Sequence, residues 1–266
     1  MIQRYKWSDA GLDHEFCLVR VPGTAGSPFL FHKRPIEINE FWIGSTPVTQ
    51  ALWQHVMGVN PSLRLSPRCP VENVTWTEIN APGGFLDQLN AKVLPRVAAG
   101  SGLRFRLPSE SEWEYAARGG PSWRDGFRWS GSNDPDEVAW YGPRWTAAHD
   151  LFARIAGWRI AWRGTHLVMR LLPRRHTHAH DVGLKAPNQL GTYDMSGNIW
   201  EWCHDVCTDD LAAVPADGSP YLGPGNERRL RGGCFHNWDM HCQVFWRYGI
   251  TPEAHDGCLG LRVVLG

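Results

Sequence analysis

From residue 15 to 43 apolar and polar positions alternate with the two-residue period of a strand. Phe16-Cys-Leu-Val-Arg-Val21 and Phe29-Leu-Phe31 read as strands on either side of a Pro22/Gly23/Gly26/Pro28 turn region, and residues 36–43 read as another. At Thr49 the pattern turns helical: Thr49 is placed to cap a helix over Gln50–Met57, which Gly58 stops. Asn60-Pro-Ser62 is a turn and Pro70–Thr75 is extended, while Trp76–Asn90 reads as a helix damaged by Pro82-Gly83-Gly84. Leu103–Leu107 is a strand. Ser109 and Glu112 then form a capping box for a helix over Glu110–Arg118, which turns Trp113, Ala116 and Ala117 to the core and ends at Gly119-Gly120.

The pattern changes character over 143–181. Leu151, Ile155, Trp158 and Trp162 partly fit a helix, after which Pro173 opens a basic stretch with His176, His178 and His180. On a strand those imidazoles would share one side and suit a metal; the alternative is an exposed basic loop. With no repeat or low-complexity linker, and with 266 residues to bury a core, the expected organisation is one domain over 1–266 carrying an insertion at about 143–181.

Composition sharpens this picture. Fifteen Trp, 28 Gly and 19 Pro describe a loop-rich α+β fold pinned by large aromatic side chains, not a bundle or a disordered chain. Lys+Arg and Asp+Glu both total 27, so no charge excess draws the chain to nucleic acid or membrane. The N-terminus lacks an apolar leader and no apolar run is long enough to span a bilayer. The expectation is therefore a chain without Sec signal or membrane span, cytoplasmic or exported by another route to a virion or cell surface. Seven Cys without a CxxC pair give neither a disulfide framework nor a zinc ribbon.

An ordered series of motifs carries more. Phe41-Trp-Ile-Gly-Ser-Thr-Pro-Val-Thr49, Asn60-Pro61 and Pro70-Val-Glu-Asn-Val74 are followed by Arg106-Leu-Pro-Ser-Glu-Ser-Glu-Trp-Glu-Tyr-Ala-Ala-Arg118. Gly191-Thr-Tyr-Asp-Met-Ser-Gly-Asn-Ile-Trp-Glu-Trp202, Arg231-Gly-Gly233 and Gly260-Leu-Arg262 complete it. The series resembles the formylglycine-generating enzyme (sulfatase-modifying factor) family from about residue 35 onward. That resemblance implies a C-type-lectin-like fold with short twisted antiparallel sheets and two main helices.

The same resemblance implies site residues. The family's oxidases hold copper on two cysteines, whose places here are taken by Asn237 and Cys242. Its iron relatives use a histidine triad on a separate domain. An oxidase would therefore have to work through Cys242 alone, and the replacement at Asn237 argues against it. A structural calcium, by the family's pattern, falls on Asp194, Gly197, Ile199 and Glu201, a set consistent with the oxygen ligands that hard cations prefer.

The span from Arg231-Gly-Gly233 to Gly260-Leu-Arg262 is similar to the variable proteins of diversity-generating retroelements, a non-catalytic branch. There, asparagine codons in a C-terminal segment are rewritten at adenines. At the corresponding places stand His236, Asn237, His241, Tyr248, Ile250, Thr251, Ala254, Asp256, Gly257 and Cys258, all reachable from AAC through its first two bases. Trp238 and Trp246 lie outside that rule; with the neighbouring histidines they offer rigid aromatic contact area, and one of the two tryptophans is expected in the core. The expected function is display of residues 234–258 as a binding surface for a protein or a surface glycan. Two alternatives stand beside it: a copper or iron oxidase using Cys242, and a calcium-stabilised module that assembles through its insertion.

Overall fold

The computed structural model describes residues 4–8, 15–144 and 176–266. The helix expected from Leu151, Ile155, Trp158 and Trp162 lies outside them.

The alternating segments become β2 (Phe16–Val21) and β3 (Phe29–Phe31), with a preceding β1 (Arg4–Trp7). Residues 36–43 do not form one strand. Arg34–Ile36 (β4) pairs with β3 as a separate ribbon, and Phe41–Gly44 (β5) joins β2 in a larger sheet. The break lies in the extended run 37–40, which bonds elsewhere: Glu37 N–H to Ala216 O and Thr24 N–H to Ile38 O. Helix α1 (Gln50–Met57) has the expected ends, with Thr49 Oγ1 accepting from Leu52 N–H and Gly58 in the left-handed region.

The damaged helix over 76–90 proves to be two. Trp76–Asn80 (α2) opens on a capping box, Thr75 with Glu78, and stops before Pro82; Phe85–Lys92 (α3) starts afresh and is followed by a short α4 (Leu94–Val97). The expected capping box at Ser109 is present and opens α5 (Glu110–Ala117). A two-residue strand, β6 (Phe105–Arg106), replaces the longer one expected over 103–107.

Two sheets carry the rest. The first runs β1-β2-β5-β11-β6, with β11 (Val264–Leu265) in its interior. The second runs β10-β7-β8-β9, from Leu259–Leu261 (β10), Trp200–Val206 (β7), Arg228–Arg231 (β8) and Tyr248–Ile250 (β9). Pairing is antiparallel except between β10 and β7, which run parallel.

Because side chains alternate along β7, its two faces differ in kind. Trp200 and Trp202 join Leu230, Leu259 and Leu261 in a core shared with α1 and α3, where Trp202 Nε1 donates to Val74 O at 3.0 Å. Glu201 and Cys203 turn toward α5. The packing around β10 is so close that a Cβ on Gly260 would lie 2.3 Å from Ile199 Cδ1 and 2.4 Å from Val71 O. Gly260→Ala is therefore expected to destabilise the fold by about 1–3 kcal/mol, the usual result of overpacking, read as a lower urea midpoint at unchanged slope.

Candidate functional site: a face held by buried ion pairs

Helix α5 is unusual in that every residue, its three glutamates included, is buried. Isolated buried carboxylates are costly, so partners must come to them. Glu110 takes a two-pronged contact from Arg247, with Nε and the terminal nitrogen both at 2.7 Å, and ion pairs from Arg231 and Arg229 at 3.3 and 3.2 Å. Glu114 pairs with Arg231, with Arg118 at 2.9 Å and with His32 at 3.4 Å. One turn away Trp113 Nε1 donates to Glu201 at 2.7 Å, and Glu201 is clasped by Arg262 at 2.8–3.2 Å. Burial would raise the Glu114 carboxyl, but Arg231, His32 and Arg118 outweigh it and hold it at about 2.

These pairs fix the ends of the segment singled out in the sequence. Arg231 and Arg262 are wholly buried at its two ends, and Arg247 anchors its middle. Backbone bonds do the rest: Phe235 N–H to Asn198 O, Val244 N–H to Arg128 O, and Asn73 N–H to Asp256 O. Gly233, at φ 74°, lies so close to Cys242 that a Cβ would meet its Sγ at 2.6 Å. The main chain is held while some side chains are left free.

Of the expected contact residues, His236, Tyr248, Thr251 and Asp256 reach solvent. Asn237, His241, Trp246, Ile250, Ala254 and Gly257 are half-buried. His241 packs on Trp246 with ring centroids 4.7 Å apart, and burial pushes its imidazole down to about 4. Trp238 needs correcting as a contact residue: it is 2% exposed, a core side chain beneath the face. Sequence reasoning missed the other wall. Leu63 and Leu65 are 75% and 73% exposed, and the loop carrying them faces Asp256 and Gly257 across a cavity of about 220 Å³. Gln50, Arg64, Glu72, His178, Phe235 and His236 also line it. Glu72 Oε1 accepts from Leu63 N–H at 2.6 Å, whereas its buried Oε2 has no partner.

The histidine trio is not gathered on a strand. His180 Nε2 lies 2.9 Å from His176 Nδ1 and stacks on Trp140 at 3.8 Å, while His178 Nδ1 turns to Ala179 O and lines the cavity. Burial first, and its histidine neighbours second, lower His180 to about 4.

The implied metal positions fare unequally. Asn237 and Cys242 do not fit copper: Asn237 offers an amide in place of a thiolate, and Cys242 is sealed among Trp129, Val138, Ala139 and Tyr141 with its thiol raised by burial. At the calcium turn, Asp194 is buried with Oδ2 bonded to Gly183 N–H at 2.7 Å and Oδ1 unpartnered. Burial raises this carboxyl to about 6. Glu201 fits less well, because Arg262 and Trp113 already donate to both of its oxygens.

A family model described as the sulfatase-modifying factor enzyme 1-like domain matches residues 23–266. The chain belongs to this family. Chaperone protein LppX of Paenibacillus barcinonensis is 34% identical over 211 residues, 70% of each chain. The formylglycine-generating enzyme of Streptomyces coelicolor is 30% identical over 84% of this chain, which spans 60% of that enzyme's length. Among solved structures, Treponema denticola variable protein 1 superposes with a TM-score of 0.72 at 25% identity over 98% of both chains. PvdO from Pseudomonas aeruginosa shares the fold, with a TM-score of 0.65 at 19% identity over 98% of this chain and 97% of its own.

The ionic frame has a measurable signature. Glu114 has a folded pKa below its unfolded value, so its contribution to stability is complete above about pH 4.5 and is lost as pH falls through about 2. The stability gap between wild type and Glu114→Gln should be largest near neutrality and close over that acid window, followed by denaturant melts at stepped pH. Near neutrality, removing one partner of such a buried pair costs about 3–5 kcal/mol.

Proposed function

We propose that this member of the family is a ligand-binding protein that displays residues 234–258 on a fixed lectin-like frame. One observation carries the reading: within a single segment, side chains that hold the backbone (Arg247, Cys242, Trp238) alternate with side chains that reach solvent (His236, Tyr248, Thr251, Asp256). Such an arrangement tolerates exchange of the exposed set without loss of the fold, as loops on an immunoglobulin frame do. The end-to-end likeness to Treponema denticola variable protein 1 supports it, and so does the loss of a ligand cysteine at Asn237.

The ligand reads as a protein or surface glycan. The cavity, at about 220 Å³, is smaller than the ~300–1,000 Å³ of a typical small-molecule site and suits one protruding group. Its unpartnered Glu72 Oε2 calls for a hydrogen-bond donor, and exposed Leu63 supplies apolar contact at its wall. The reading extends to the gene: a near-copy of the segment encoding 234–258, differing at adenines and lying beside a reverse transcriptase, is expected. An uninterrupted genomic neighbourhood without one removes the diversification. On glycan and cell-surface-protein arrays, Tyr248→Ala and His236→Ala should each weaken capture by about 1–2 kcal/mol or more. Equal capture by both variants would remove this face from the binding site.

A calcium ion at the 194–201 turn is a second, separate proposal, supported by the unpartnered Asp194 Oδ1. Calcium at about a hundred times its dissociation constant should stabilise the wild type by about 2.7 kcal/mol and leave Asp194→Ala unmoved. An unchanged wild-type melting curve would assign the turn's neutralisation to Arg262 alone.

A further inference from the structure

Two cysteines that are 24 positions apart in sequence meet behind His236 and Asp256, two residues that line the cavity. Cys234, just after the Gly-Gly turn, and Cys258, just before β10, are both buried. The His236 ring lies between them, with Nδ1 3.6 Å from Cys234 Sγ and Nε2 4.0 Å from Cys258 Sγ. One ligand atom from each of the three residues falls within 4.8 Å of the others, the one grouping of this kind among the described residues. The sulfurs are free thiols, not a disulfide.

Their surroundings are not those of cysteines that merely fill space. Cys242 is enclosed by aromatic and aliphatic groups. By contrast Cys234 Sγ lies 3.0 Å from Asn237 Oδ1, and Cys258 Sγ lies 2.9 Å from Asp256 Oδ1. Each sulfur therefore has a polar acceptor beside it and an imidazole in front. Metal–sulfur and metal–nitrogen bonds of about 2.3 and 2.0–2.1 Å in tetrahedral array place ligand atoms roughly 3.5–3.8 Å apart. Taken one atom per residue, the three ligand atoms lie within 4.8 Å of one another, at most about 1.3 Å wider than that array. Two thiolates and an imidazole are the donors that select thiophilic ions over calcium or magnesium.

We propose that Cys234, His236 and Cys258 form a binding site for a thiophilic d10 metal ion, Zn(II) or Cu(I), open toward the cavity through His236 and Asp256. The site does not rest on the binding-face reading and uses neither Asn237 nor Cys242. On binding, each thiol releases its proton to solvent and the sulfur lone pair forms the metal bond, with no change of oxidation state. Asp256 Oδ1 accepts from Cys258 N–H and lies 2.9 Å from Cys258 Sγ, outside the three-residue grouping, so a four-coordinate zinc takes its fourth ligand from solvent, whereas a three-coordinate copper needs none.

The test uses full-length protein purified under reductant and kept from air, titrated with Zn(II) or Cu(I) in competition with a chromophoric chelator. One equivalent is expected to bind in the wild type and in Cys17→Ser, and none in Cys234→Ser/Cys258→Ser. His236→Ala, at an accessible position, should weaken binding by at least about tenfold while keeping the wild-type melting curve, which guards against a misfolded double variant. Competition between the two ions for the wild-type protein assigns the metal: the ion that holds the single equivalent against the other is the one the site selects. The proposal is overturned by an unchanged stoichiometry in the double variant, by wild-type protein that binds neither ion, or by a Cys234–Cys258 disulfide in protein kept from air.

Discussion

A buried lattice of carboxylates and guanidinium groups is the constraint on which this structure turns. Helix α5 presents Glu110 and Glu114 to the interior, and the second sheet answers with Arg229 and Arg231 while Arg247 comes from the segment beyond it. Removing one member leaves an unpaired charge in a medium that does not solvate it, a penalty larger than the pair's own net contribution. That asymmetry explains why the arrangement is specific. Apolar packing would tolerate a helix shifted by a turn, whereas a two-pronged Arg247–Glu110 contact does not. Glu201 with Arg262 and Trp113 extends the lattice to β7, in the interior of the second sheet.

The lattice also separates two demands that conflict in most surface loops. A surface that must vary in side chain usually varies in backbone as well, since the loop is held by the residues that change. Here the positions that hold the loop, Arg247, Trp238 and Cys242, are distinct from those that reach solvent. Trp238 illustrates the division: placed by sequence among the aromatic contacts, it supports the face from below, and His241 with Trp246 occupies an intermediate layer. The cavity wall formed by Leu63 and Arg64 is not in the segment at all, so the cavity is shared between two stretches of chain far apart in sequence.

Much of the frame was legible in the sequence because it is written in short-range chemistry. The Ser109–Glu112 capping box and the Thr49 cap with its Gly58 stop are read within a few residues of themselves. The ordered motifs placed the family, which the match over residues 23–266 shows. What could not be read locally was set by long-range contact. Residues 37–40 look like strand but bond to Thr24 and Ala216. The histidines at 176, 178 and 180 alternate in sequence, yet one of them turns to a neighbouring carbonyl. Cys234 and Cys258 come together because both flanking stretches dock at the start of β7, Phe235 N–H on Asn198 O and Trp200 N–H on Cys258 O, contacts that no window of sequence around either cysteine contains.

The interior position of β11 has a consequence for biosynthesis. Residues 259–265 supply the parallel partner of β7 in one sheet and fill the gap between β5 and β6 in the other. A chain interrupted anywhere within 234–258 lacks both, leaving unpaired strand edges on two sheets and Glu201 without Arg262. Such a product has no route to a soluble folded form and is open to proteolysis and aggregation. Completion of the C-terminal strands is thereby a condition of folding: a product that stops within 234–258 fails whatever side chains that segment carries, and one that reaches β11 can close both sheets.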